Sequence, residues 1–209
     1  MLPLVEQIIA QTRKRVLENK KVLSSDKVLS LFEPHTRAIL RHKGGALVAF
    51  GRLVTLDEVE GGLVTRSEIR EHPEEHGQAI DAVVHHQEVF ARPPQLVAAD
   101  RGVHSAETEE KLKAAGVKQV AIPAVGKASE ERKALERTPT FRRGYRWRAG
   151  IEGRIASLRR DSGWRKNRYH GRDGMERWLG LGVLASNLRR IALLKGASLF
   201  RGQRVLGVK

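Results

Sequence analysis

Apolar positions recur at helical spacing over residues 4–20, where Val5, Ile8, Ile9, Thr12 and Val16 share one face and Arg13, Lys14 and Arg15 lie mostly elsewhere. The short apolar run Lys27–Glu33, stopped by Pro34, predicts a strand. Two segments rich in β-branched and aliphatic residues, 52–56 and 63–69, flank Gly61-Gly62 and predict a hairpin. Residues 76–90 predict a helix through Ala79, Ile80, Val83, Val84 and Val89, ended by Pro93-Pro94. Gln95–Ala99 is almost wholly apolar, as expected of a central strand buried on both faces. Ser105 predicts an N-cap for a helix over 106–115, with Gly116 as its C′ residue, and Val117–Ile122 predicts a further strand closed by Pro123. Beyond Gly126 the pattern turns polar and helical, and Met175, Trp178, Leu179, Leu181, Leu184, Leu188 and Ile191 fall at helical spacing.

This order of elements predicts an α/β domain with a mixed sheet and a helical carboxyl-terminal region. A chain of 209 residues is long enough for one domain with a real core, and 40% apolar residues argue against disorder. The absence of cysteine excludes disulfides and thiolate metal sites and fits a reducing cytosol. No apolar run approaches the roughly 20 residues needed to span a bilayer. Leu2–Ala10 is interrupted by Glu6 and Gln7 and does not read as a signal peptide.

Charge changes the picture more than composition does. The net charge is +15, and residues 137–172 hold twelve Lys/Arg against Glu152 and Asp161, a local balance of +10. A block of this kind repels itself unless a polyanion neutralises it, which favours nucleic acid as partner over a merely solvated surface.

Two acids stand out by their neighbours. Asp100 ends the run Leu96-Val-Ala-Ala and is followed by Arg101-Gly102. It lies where a strand meets a loop, the end at which open α/β sheets bind ligands. Alone, an Asp there is better explained as a turn former or a helix cap. Glu152 lies within Tyr145-x2-Arg148-x3-Glu152-x6-Arg159. At about 100° per residue these four fall within roughly a 60° arc of one helix face. Ile151, Ile155 and Leu158 form the adjoining stripe. An i,i+4 pair of Arg148 with Glu152 explains two of the four and leaves Tyr145 and Arg159 unexplained.

The Tyr-x2-Arg-x3-Glu-x6-Lys/Arg spacing resembles the signature around the last acid of bacterial insertion-sequence DDE transposases, with Arg159 replacing the usual lysine. Val97-Ala-Ala-Asp-Arg-Gly-Val-His-Ser105 looks like that family's second-acid motif. Residues 31–36, the hairpin, and 168–174 with the final apolar helix are also similar, so the resemblance covers residues 12–194.

The resemblance implies a ribonuclease H-like catalytic core with two Mg²⁺ or Mn²⁺ ions acting on DNA at transposon ends. Asp100 and Glu152 would be two of three metal-binding acids, and Tyr145, Arg148 and Arg159 would hold the DNA backbone. The family's first acid has no counterpart here. Asp57 is the best internal stand-in, with Asp26 and Glu33 behind it, and each is also explained as a strand-end or turn acid.

The expectation is therefore the carboxyl-terminal part of a transposase, truncated or split, with an incomplete core. Residues 1–25 would be an amino-terminal helix, 26–165 a partial catalytic core and 166–209 a helical tail. It would act in the cytoplasm, associated with the nucleoid when bound to DNA, with another transposase chain as a further partner. Two alternatives are a non-catalytic DNA-binding fragment that regulates transposition and a stand-alone ribonuclease H-like nuclease. His72, His76, His85 and His86 suggest surface histidines before a metal site, for want of a third ligand. Trp147, Trp164 and Tyr169 could stack on bases, but packing of the tail on the sheet explains them better.

Overall fold

Ser105 opens the part of the chain that folds as its pattern predicts. In the computed structural model, which describes residues 2–23, 26–40, 47–70 and 77–203 (side chains to 196), its hydroxyl accepts a hydrogen bond from the Thr108 backbone N–H and caps α3 (Ala106–Ala114). Glu107 and Glu109 lie in the first turn, where the helix dipole favours acids. Gly116 follows at φ +90°, the left-handed conformation that ends helices and suits glycine.

The strands β5 (Leu96–Ala98) and β6 (Gln119–Ala121) pair in parallel with Val97 opposite Val120. Their connection runs through α3, the usual way to join parallel neighbours. On one face of this pair lies the core: Ala79 and Val83 from α2 (Gln78–Phe90), with Val103, Leu112, Val117 and Ile122. On the other lies α5 (Pro139–Asp161), reached through the short α4 (Glu130–Arg137).

The junction of α3, α4 and β6 is locked by Arg132. Its guanidinium donates to Glu109 (2.5 Å), Glu136 (3.2 Å) and the Ile122 carbonyl (2.5 Å), and lies over the Phe141 ring.

The predicted hairpin is present as β3 (Leu53–Val59) and β4 (Leu63–Arg70), with a register shift between Asp57 and Glu58. Asn187 of α6 (Gly171–Gln203) answers that irregularity. Its side chain accepts from Val64 N (3.0 Å) and donates to Val64 O (2.7 Å), as a neighbouring strand would. The turn is held from both sides: Arg190 donates to the Gly61 carbonyl, and Arg154 pairs with Glu58 at 3.1 Å. Gly62 sits in the turn at φ +75°, the left-handed conformation that suits glycine.

Several expectations are corrected. No single mixed sheet forms among the described residues; three two-stranded sheets do, β1–β2, β3–β4 and β5–β6. Strands β1 (Arg37–Leu40) and β2 (Val48–Gly51) pair antiparallel, a hairpin the pattern did not predict. Lys27–Glu33 is no strand. Val28 is instead tied to the helix α1 (Leu2–Thr12), whose Gln11 side chain bonds both its N–H (3.0 Å) and its carbonyl (2.9 Å).

Strand β5 is half-buried, because only one of its edges has a ladder partner among the described residues. Trp164 and Tyr169 pack on α6, against Gly182 and Trp178, not on a sheet. Helix α6 also lies along β4. His72 and His76 fall outside the described residues.

Candidate functional site

Asp100 follows β5 in extended conformation (φ −66°, ψ 155°) and leads a single 3₁₀ turn, Arg101–Val103. Its carbonyl accepts from Val103 N at 3.1 Å, while its carboxylate caps nothing in that turn and is left to face outward.

What it faces is set by the docking of α5. Thr138 caps that helix by accepting from Phe141 N, and Pro139 fills its first turn, where no amide donor is needed. One turn in, Gly144 is buried at the crossing over β5–β6. A Cβ there would lie 2.8 Å from Ala121 Cβ and 3.0 Å from Leu96 Cδ1. Only the bare backbone fits, and the close approach brings the next turn, Tyr145 to Arg148, over the end of β5.

Arg148 joins the two acids. Its Nη1 donates to Asp100 Oδ1 and its Nη2 to Glu152 Oε1 at 3.4 Å. The Arg148 side chain is 13% exposed, against 70% for Asp100 and 72% for Glu152. Its guanidinium lies over the Tyr145 ring, 5.4 Å from the centroid. Two residues far apart in sequence are thus brought together on one cation. Arg148 itself turns inward to the carboxylates, whereas Arg159 remains exposed further along α5.

The other candidate acids are engaged elsewhere. Asp57 lies in β3 beside Arg66 (3.7 Å), mostly buried. Burial raises its pKa above the ordinary 3.8, opposed by the charges of Arg66 and His85. Glu33 accepts from Gly171 N at the start of α6 and sits between His35 (3.0 Å) and His170 (3.1 Å). Among the described residues no three acidic or histidine side chains converge so as to hold a metal ion. His85 lies against the Thr65 carbonyl at 3.2 Å and His86 against the Phe90 ring, so this pair shares no ligand site.

Beside Asp100 an open depression is lined by Arg101, Arg142, Arg146 and Glu136 together with Tyr145, Phe141 and Pro123. Three guanidiniums against one carboxylate suit a phosphate, which takes arginine in bidentate fashion. The sequence pattern does not single out these three arginines. The available signal is their density: Arg142 and Arg146 fall on the turns flanking Tyr145.

Asp100 and Glu152 offer hard carboxylate oxygens, exposed and facing a common cation. In donor type they fit Mg²⁺ or Mn²⁺, which takes one or two carboxylates and completes its shell from water and phosphate. They do not by themselves make a three-acid set.

Residues 106–192 match the family described as Transposase DDE domain. The match takes in Tyr145, Arg148, Glu152 and Arg159 and begins just after Asp100. No curated protein and no solved structure matches the chain. Among the described residues no helix is long and apolar enough to cross a membrane.

Proposed function

We propose that this chain carries a transposase catalytic face, with Asp100 and Glu152 holding Mg²⁺ or Mn²⁺ against a DNA phosphodiester at a transposon end. The observation that carries this reading is Arg148, which joins the two acids from separate elements. When bound, such ions activate the attacking water or 3′-hydroxyl and stabilise the departing oxygen. The chain's own residues set the geometry. Arg148 balances and orients both carboxylates, and Tyr145 fixes the plane of its guanidinium. Arg101, Arg142 and Arg146 take neighbouring phosphates, and Arg159 extends the contact along α5. These contacts position the backbone without reading sequence.

The same reading includes a ribonuclease H-like core, the division at residues 25 and 165, and a cytoplasmic, nucleoid-bound protein. The third acid would come from another transposase chain, as a strand added next to Asp100 at the edge of β5 that lacks a ladder partner among the described residues. Edge strands accept such additions through their backbone amides and carbonyls.

A second reading, a DNA-binding fragment that regulates transposition without cutting, is favoured by one observation: no third acid joins the pair among the described residues. A stand-alone nuclease is less supported, since Asp57 and Glu33 are held elsewhere.

Nicking of supercoiled DNA in Mn²⁺ separates the two. Wild-type nicking that disappears in Asp100→Asn supports the enzyme. DNA binding that survives this change, with no nicking by the wild type at any Mn²⁺ concentration, supports the fragment.

A further inference from the structure

Arg148 stands where a cation shared by Asp100 and Glu152 would stand. Its Nη1 donates to Asp100 Oδ1 and its Nη2 to Glu152 Oε1, and among the described residues no other cation pairs with either acid. The carboxylates are open to solvent, whereas the arginine is buried and its guanidinium lies over the Tyr145 ring. The Arg148 Nε N–H is buried as well and donates to nothing among the described residues. A buried donor without an acceptor is unfavourable, so the two acids are what hold the guanidinium in this seat.

A divalent ion takes carboxylate oxygens at about 2.0–2.1 Å, and a guanidinium takes the same lone pairs at about 2.7–2.9 Å. An ion shared by the two acids must either take the oxygens that Arg148 holds or lie against its guanidinium, where like charges repel. We infer, on the reading that Asp100 and Glu152 hold the metal, that Arg148 is a placeholder cation. It keeps the two acids together in the metal-free chain and withdraws when Mg²⁺ or Mn²⁺ binds.

The released guanidinium needs another anion. Tyr145, on whose ring it lies, also lines the depression with Arg101, Arg142 and Arg146. A phosphate bound there offers Arg148 new acceptors, for its Nε included. Metal and DNA then bind cooperatively through one side chain, and by linkage each tightens the other by the same factor.

The test is the Mn²⁺ affinity of the full-length chain, read by electron paramagnetic resonance, first without DNA. Arg148→Met keeps a long apolar stem beside Tyr145 and removes the competing charge. It should bind Mn²⁺ on the order of tenfold more tightly than wild type. An arginine that only oriented the acids would give the reverse. A short DNA duplex, its own Mn²⁺ uptake subtracted, should then raise the affinity of wild type more than that of Arg148→Met. Direct contact of phosphate with metal is common to both proteins and cancels in this comparison.

In the wild type, with no substitution, Mg²⁺ should shift the Arg148 Nε–H nuclear magnetic resonance and speed its exchange with solvent. Where the circular dichroism of the variant departs from wild type, this resonance decides. Equal or weaker Mn²⁺ binding by a folded Arg148→Met, beside a wild type that binds through Asp100, would overturn the inference alone. So would an Arg148 resonance unmoved at saturating Mg²⁺. No Mn²⁺ binding by the wild type, or binding that survives Asp100→Asn, would overturn the metal reading and the placeholder with it.

Discussion

A guanidinium shared between two carboxylates can hold both in place only if its own stem is fixed. Arg148 meets that condition through burial and the Tyr145 ring. The acids it holds are exposed, so removing one should cost little stability. Asp100→Asn is expected to melt within about 0.5 kcal/mol of wild type while losing metal-dependent nicking, checked by thermal denaturation beside the plasmid assay.

Asp57 behaves in the opposite way. Burial raises its pKa, so the folded state holds its proton more tightly than the unfolded chain. Its contribution to stability thus falls as pH rises from the ordinary 3.8 through the raised value. Asp57→Asn should be at least as stable as wild type at pH 7, with the advantage vanishing below the ordinary value. Melting curves at the two pH values check this.

The spacing of Tyr145, Arg148, Glu152 and Arg159 made their shared face legible from the sequence alone. That Arg148 turns to Asp100 was not legible, because it depends on how closely α5 crosses β5.

That crossing belongs to the elements, and Gly144 controls it. Gly144→Val would drive methyl groups into Ala121 and Leu96, and should destabilise by roughly 1–3 kcal/mol while moving Arg148 away from Asp100. Loss of stability in denaturant, with loss of nicking beyond what the folded fraction explains, would bear this out.

At the α3–α4 junction, burial pushes the Glu109 pKa up, but hydrogen bonds from Lys113 and Arg132 and the Arg132 charge outweigh it and hold it below the ordinary 4.5. Its stabilisation is present above 4.5 and lost as pH falls through the lowered value. Glu109→Gln should therefore cost roughly 1–2 kcal/mol at pH 7, since Arg132 loses one charged acceptor but keeps Glu136 and the Ile122 carbonyl, a deficit that closes in acid.

Local signals such as the Ser105 cap, Gly116 and Gly61-Gly62 foretold elements well, because each acts within a few residues. Lys27–Glu33 misled because its apolar residues serve a loop against α1, where Gln11 supplies the pairing that a strand would have given. The half-burial of β5 could not be read from its composition, since an apolar strand looks the same with one partner or two.

For the molecule as a whole, the charge block is the main feature visible in the sequence that bears on function, and α5 presents much of it beside Asp100. DNA affinity should fall linearly with salt on logarithmic axes. Arg142→Ala/Arg146→Ala should flatten the slope by about two, one unit for each phosphate no longer neutralised. A titration of binding against salt for both proteins checks this. The family match covers residues 106–192 and so includes the face around Glu152, while Asp100 rests on geometry and the resemblance of its motif.

The central claim, that Asp100 and Glu152 together hold a divalent cation, is tested most directly by titrating Mn²⁺ into the full-length chain and reading bound metal by electron paramagnetic resonance. Wild type and Asp57→Asn should bind Mn²⁺, and both Asp100→Asn and Glu152→Gln should lose it. Binding that persists unchanged in either of the last two, or no binding by the wild type, would contradict it.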